Sequence, residues 1–268
     1  PFFVFSDWGT FSVKLRINGK TGDSTTKLNY IQVLPRMGTP YYLEDGGNME
    51  VNAGHFAGTQ ISGNYQLWER GAPSYYFTTH YNGNNAWVTD LDANCIRPAS
   101  KYECALLTPS FNMTKSGTYR IGFKKSAESY YSSTPYATVL EYSTDKGDTW
   151  TRLGTETTGY SWYNKGPSAS YSINSFVRSD GIGWLGTYSK DSTSFDVSSL
   201  SGNDDVRFRV LHTVDWGWNS IGYKAGFLVD NFSLIGPTND SIAGGGIETE
   251  ITSRTLPLGP DDTTSFFS

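Results

Sequence analysis

Apolar and polar residues alternate in short runs along most of the chain. Gly9-Thr10-Phe11-Ser12-Val13-Lys14-Leu15-Arg16-Ile17 alternates with period two, as a strand with one buried face does. Asn18-Gly19 follows as a hairpin turn signal, and Asn29-Tyr30-Ile31-Gln32-Val33-Leu34 supplies the next strand. Later strand candidates are 117–124, 137–143, 193–200, 206–213 and 225–234, broken by turn residues. No long stretch carries helical periodicity, and there is no internal repeat. The pattern predicts an all-β chain whose body is an antiparallel jelly-roll sandwich.

The same punctuation divides the chain. Residues 1–35 form a first unit, too short to bury a core alone because a sandwich needs two facing sheets. Pro1-Phe2-Phe3-Val4-Phe5 is strand-like, without the basic region or cleavage site of a signal peptide. The expectation is therefore a chain that starts inside a folded domain, with any export signal upstream. Residues 36–39, between Pro35 and Pro40, are expected as a linker. Residues 40–237 form the main unit, with Ser-, Tyr- and Gly-rich loops, notably 154–190. Residues 238–248, with Gly244-Gly245-Gly246, form a second linker. Residues 249–268 begin a further domain or are a disordered tail.

Composition narrows the function classes. Gly (29), Tyr (18), Phe (15) and Trp (8) are abundant and only 18% of residues are charged, which suits pleated, half-buried surfaces and tight turns. A net charge of −5 without a Lys/Arg block argues against nucleic acid, and suits calcium or a neutral ligand such as a glycan. No apolar run approaches the ~20 residues that span a bilayer. Cys95 and Cys104 are spaced for a local disulfide, worth about 2–3 kcal/mol for a loop of about 10 residues in an oxidising compartment. Two free buried thiols is the alternative.

Two segments carry resemblances. The run from Gly9 to Pro35 resembles the C-terminal half of a PKD domain, which implies a partial immunoglobulin-like sandwich before the jelly roll. In the main unit, Leu106-Leu107-Thr108-Pro109-Ser110-Phe111-Asn112-Met113, Glu141-Tyr142-Ser143-Thr144-Asp145-Lys146-Gly147-Asp148-Thr149-Trp150, Val206-Arg207-Phe208-Arg209-Val210 and Gly226-Phe227-Leu228-Val229-Asp230-Asn231-Phe232-Ser233-Leu234 occur in order. Together they resemble the MAM-like, cleaved-adhesin-type concanavalin-like jelly-roll modules of secreted Bacteroidetes proteins. The family's opening pattern is matched only by Tyr42-Leu43-Glu44-Asp45-Gly46-Gly47, with its Trp delayed to Trp68. The resemblance implies a secreted or outer-membrane-attached cell-surface protein, with type IX secretion machinery as a partner.

Candidate chemistry follows from these positions. Asp90 and Asp92 alternate on one face of an extended strand, and calcium prefers six to eight hard oxygen ligands. The resemblance implies that Glu44 and Asp230 hold structural calcium where the first and last strands meet, with Asp90 and Asp92 joining them. Asp45 and Asp215 are reserve ligands. The run 143–150 fits the Asp-box pattern S-x-D-x-G-x-T-W, whose carboxylate organises a hairpin. Trp162, Tyr163, Trp184, Trp216 and Trp218 lie in Gly- and Ser-rich stretches, which suggests a stacking platform for sugar rings, with plain core packing as the alternative. Asp240-Ser241-Ile242 matches a short O-glycosylation motif, at Ser241, in an apparent linker.

Catalytic signatures are absent: no H-E-x-x-H, no CxxC pair and no G-x-S-x-G. Asp90-Leu91-Asp92 lacks the third alternating acid expected of a jelly-roll glycosidase, since position 94 is Asn. The sequence points to a non-catalytic extracellular binding or adhesion module, with an extracellular glycan or protein as its ligand. The alternatives are an accessory domain of a secreted protease or glycosidase, and a spacer in a surface fibre.

Overall fold

The computed structural model describes residues 9–16, 24–42, 49–50, 55–63, 66–74, 76–77, 83–92, 102–129, 136–164, 182–214 and 224–241. Its strands are β1 (Gly9–Arg16), β2 (Ser24–Val33), β3 (Arg36–Met37), β4 (Thr39–Tyr42), β5 (Ala57–Ser62), β6 (Trp68–Gly71), β7 (Ala86–Thr89), β8 (Tyr102–Leu107), β9 (Ser110–Met113), β10 (Arg120–Glu128), β11 (Tyr136–Ser143), β12 (Thr151–Arg152), β13 (Thr187–Asp196), β14 (Asn203–Val214) and β15 (Gly226–Asn239). One 3-10 turn, Ser198–Leu200, is the only helical element among the described residues. No helix among them is long and apolar enough to cross a membrane, which says nothing about crossing by strands.

The strands make three sheets. β1 and β2 pair with each other. A front sheet runs β13-β10-β15-β7-β6, with β4 also paired to β15. A back sheet runs β12-β11-β14-β8-β5, with β9 on β14 and β3 on β9. All pairings are antiparallel except the short β3–β9 contact. The main unit is thus the two-sheet, all-β sandwich that the alternation predicts. Residues 36–39, expected as a linker, instead supply β3 and the first residue of β4. Arg36 donates 2.7 Å to the Asp204 carbonyl, and Ser110 N donates to the Pro35 carbonyl, so this stretch is bonded into the body. Likewise β15 runs on to Asn239, two residues past the expected boundary.

The core between the sheets is aromatic. Phe232 on β15 lies 5.0 Å from Phe56, 6.3 Å from Phe111 and 6.5 Å from Phe123, measured between ring centroids. Phe123 on β10 meets Trp184 edge-on at 5.6 Å, and Trp184 meets Tyr163 at 4.8 Å. Offset and edge-to-face pairs of this kind add to the stabilisation from burial itself.

Among these rings sits His212 of β14, fully buried, with Nδ1 2.9 Å from Thr138 Oγ1. Burial away from water pushes its pKa down to about 3, so the folded protein holds it neutral. The unfolded chain binds a proton below about pH 6.5, which the fold does not bind until about pH 3. Stability from this group is therefore complete above about pH 6.5 and lost as pH falls toward 3. The expected slope is about 1.4 kcal/mol per pH unit in that window, measured by urea denaturation. In His212→Gln that slope should shrink whatever the variant's stability at neutral pH.

Candidate ligand-binding face

Of the carboxylates expected to share an ion, the described ones, Asp90, Asp92 and Asp230, do not come together. Trp87 pairs with Val229 and Val88 with Leu228, so Asp230 stands level with Ala86. Asp90 lies four residues further along β7's direction, roughly 13 Å away at the rise of a strand. Asp90 has left the strand at φ 79°, and Asp92 is exposed in the bend that follows. The alternation expected at 90 and 92 fails because β7 ends at Thr89. Among the described residues no three His, Cys, Asp or Glu side chains gather as a metal site. Asp230 itself is fully buried on β15, its Oδ1 accepting from Asn231 N at 2.7 Å, and Asn231 Oδ1 is buried without a hydrogen-bond partner. Glu44, Asp45 and Asp215 lie outside the described residues.

The expected aromatic platform is also corrected. Trp162, Tyr163 and Trp184 are buried in the core at 4%, 4% and 1% exposure. Each polar edge is satisfied by backbone: Trp162 Nε1 donates to the Leu153 carbonyl, Trp184 Nε1 to the Trp162 carbonyl and Tyr163 OH to the Leu140 carbonyl. These rings pack instead of facing solvent. Trp216 and Trp218 lie outside the described residues. Cys104 is a free, fully buried thiol on β8; Cys95, its expected disulfide partner, lies outside the described residues. Ser241 is exposed. The Asp box has its expected structural role: Asp145 accepts from Ser143 Oγ, Thr149 N and Thr149 Oγ1 in the β11–β12 hairpin. Those donors lower its pKa to about 2.

The front sheet carries a row of outward-facing residues that composition did not mark. Residues paired across antiparallel strands share a face. Gly122 of β10 pairs with Ser194 of β13 on one side and Ser233 of β15 on the other. Ser233 in turn pairs with Tyr42 of β4, and Ser194 bridges to Tyr160. Tyr160-Ser194-Gly122-Ser233-Tyr42 is therefore one row across the outer face, running perpendicular to the strands. Tyr42 is 50% exposed and Tyr160 65%. Outside β1–β2, the exposed large apolar side chains among the described residues are Tyr42, Tyr76, Tyr160 and Ile235. Three of these four lie on this face, since Ile235 pairs with Arg120 in the next row.

Local sequence explains how both tyrosines get there. Thr39-Pro40-Tyr41-Tyr42 alternates buried and exposed, and Tyr41 turns inward to meet Phe111 at 5.1 Å while Tyr42 turns outward. At the far end, Tyr160 and Ser194 exchange two backbone bonds of 2.8 and 3.1 Å, adding Tyr160 to the edge of β13. Gly159 makes that approach possible. It sits at φ 74°, and a Cβ there would stand 2.9 Å from the Ser194 carbonyl and from the Phe195 ring. Trp162, two residues past Tyr160, is driven into the core and anchors the loop.

Hydroxyls and balanced charges flank the row. Arg120 donates to Ser194 Oγ at 3.4 Å, and Lys124 donates to Ser192 Oγ. Arg120 is cross-strand partner to Asp196, and Lys124 to Asp230, so each cation shares its level with a carboxylate. Hydrogen bonds from Ser198 hold Asp196 below the usual carboxylate range, with Arg120 adding to the effect.

No family model matches the chain, and no curated protein matches it. Solved structures with a similar course include TmCBM61 in complex with beta-1,4-galactotriose, at 12% identity and TM-score 0.35, covering 72% of this chain and 97% of that one. The K1 cleaved adhesin domain of Lys-gingipain from Porphyromonas gingivalis W83 aligns at 14% identity and TM-score 0.35, covering 75% and 98%. The enzymatically active domain of bacteriophage CBA120 tailspike protein 4 aligns at 8% identity and TM-score 0.39, covering 73% and 21%.

Burial raises the Cys104 thiol to about pKa 12, and only the thiolate reacts readily. Ellman's reagent should therefore leave Cys104 unmodified in the native protein at pH 8 and titrate it on denaturation. Peptide mapping assigns the modified site.

Proposed function

We propose that this chain is a non-catalytic, extracellular adhesion module that binds carbohydrate on the outer face of its front sheet, between Tyr42 and Tyr160. The observation that carries this reading is the row itself: two exposed tyrosines at the ends of a Ser-Gly-Ser floor. Phenol rings offer flat apolar faces to the C–H side of a sugar, and the serines and phenol hydroxyls supply both donors and acceptors. Glycoside hydrolysis would need a general acid with a raised pKa. The carboxylates of the flanking rows do not offer one, because Asp196 is held ionised and Asp230 is closed off from solvent.

The motif order supports a MAM-like, cleaved-adhesin-type identity for the sandwich, within a type IX-secreted, surface-attached Bacteroidetes protein. Exposed Val13 and Leu15, two residues apart on one face of β1, support reading the β1–β2 pair as part of a PKD-like sandwich that covers them with a second sheet. The exposure of Ser241 supports O-glycosylation there.

The row has a direct test. The soluble glycan that most retards the chain in affinity electrophoresis should bind Tyr42→Ala and Tyr160→Ala about 2- to 10-fold more weakly, as expected for losing one aromatic contact. Melting temperatures should hold, since both side chains are exposed. Wild-type affinity in both variants would exclude this face.

Structural calcium belongs to the same proposal. Asp230 and Asn231 Oδ1 are hard oxygen donors, the latter buried and unpartnered, and they fit such an ion with Glu44 as a further ligand. Asp90 and Asp92 stand apart from it. Calcium should raise the melting temperature relative to EDTA, and Asp230→Asn should abolish the difference. An unchanged wild-type melting temperature would remove calcium from the account.

A further inference from the structure

The shape and charge of the outer face narrow the ligand. We infer that it takes an internal stretch of an extended, uncharged polysaccharide that runs across the strands, rather than a chain end or an anionic glycan. This rests on the reading of the face as a saccharide site.

Length is set by strand spacing. From Tyr160 to Tyr42 the row makes four cross-strand steps, roughly 19 Å. An extended pyranose chain advances by about one strand spacing per sugar, so the two rings stand roughly four sugars apart, at the ends of a pentasaccharide. A single sugar on either tyrosine would leave the other unused.

Among the described residues no element closes the track. Among the described residues, neither Tyr42 nor Tyr160 has a further strand beyond it in the row, and both rings are at least half exposed. In the middle, Gly122 presents only hydrogen to the floor. A Cβ there would meet the Thr193 carbonyl at 3.4 Å, Ser233 Oγ at 3.5 Å and Ser194 Cβ at 3.7 Å, all ordinary contacts. The flat floor is therefore a property of this side chain and not of crowding around it. Ser194 and Ser233 make only long bonds on this face, 3.4 Å from Arg120 and 3.4 Å to the Gly122 carbonyl. Both hydroxyls keep capacity for a ligand.

Charge sets the class. Arg120 shares its level with Asp196, and Lys124 with Asp230. Each of these cations faces a carboxylate on the neighbouring strand, so among the described residues no patch of positive charge lies along the row to attract uronate or sulfate. Exposed Ile235 beside Arg120 adds apolar surface to the same wall.

Calorimetry on the full chain tests this with uncharged β-1,4-linked gluco-, galacto-, xylo- and manno-oligosaccharides of increasing length, with polygalacturonate and heparin as anionic arms. Affinity for the bound series should rise at least about tenfold from disaccharide to pentasaccharide and then level off. A tenfold increase in salt should change it less than about twofold. Gly122→Leu, which fills the floor at a position free of backbone strain, should abolish binding at an unchanged melting temperature. Tyr42→Ala/Tyr160→Ala together should flatten the length dependence. A disaccharide bound as tightly as a pentasaccharide, or binding confined to the anionic arms, overturns this inference and leaves the saccharide reading standing if the tyrosine variants still weaken it. No binding to any of these glycans overturns both.

Discussion

Everything on the front sheet depends on one pairing, that of β10 with β15. Side chains of Ile121, Phe123, Phe232 and Leu234 point inward from it and build the aromatic core, while Gly122 and Ser233 point outward and make the floor. The two sets are interleaved along the same strands, so a slip of one residue would exchange core and floor. A bulge pins the register. Between the Gly122–Ser233 and Lys124–Asp230 pairs, β15 spends one more residue than β10, and Asn231 takes it at φ 51°. Val229 and Phe232 thereby both reach the core although three residues apart, and Asp230 stays on the outer side.

The edges of the sheet complete the row, and each is fixed by polar contacts. On one side, the Asn239 amide donates to Thr39 Oγ1 and Tyr119 OH at 2.8 Å and to the Pro237 carbonyl at 3.0 Å. Its Oδ1 accepts from Lys115 N and Thr114 Oγ1. This ties the start of β4 to the end of β15 and sets where Tyr42 falls. Gly38 permits it, because a Cβ there would lie 2.0 Å from the Asn239 carbonyl. Substituting Asn239 would leave several buried groups unpaired at once, the costly case for a polar network.

Much of this was legible in the sequence, and the failures have physical reasons. Long alternating runs gave β10, β11, β14 and β15 to within a few residues, because a period of two is unambiguous over eight positions. Short strands such as β3, β4, β6 and β7 carry too few residues for a period to show, so 36–39 read as a linker. Tryptophans in Gly- and Ser-rich stretches read as exposed, yet Trp162, Tyr163 and Trp184 each found a backbone carbonyl in the core. Tyr42 and Tyr160 sit beside or near buried aromatics, Tyr41 and Trp162. Only the register separates them, and register is a property of pairing that one strand cannot reveal. The Asp box was legible because its bonds are local, all within seven residues.

The far edge shows how a buried charge can serve an exposed site. Lys125 is 2% exposed on the inner side of β10, its ammonium bonded to Asp191 and lying 4.7 Å from the centre of the Tyr188 ring. Burial lowers its pKa, and Asp191 opposes that shift. A hydrophobic residue of similar size would fill this space without the desolvation cost, so stability alone does not explain the pair. Its geometry does. Asp191 also accepts from Ser161 Oγ, and Thr193 Oγ1 donates to the Tyr160 and Ser161 carbonyls. The ion pair thus fastens the loop to β13 at the residue next to Tyr160, from beneath, while Trp162 is held by the core. With the backbone of 160–162 fixed at three points, the Tyr160 ring keeps its place at the end of the row.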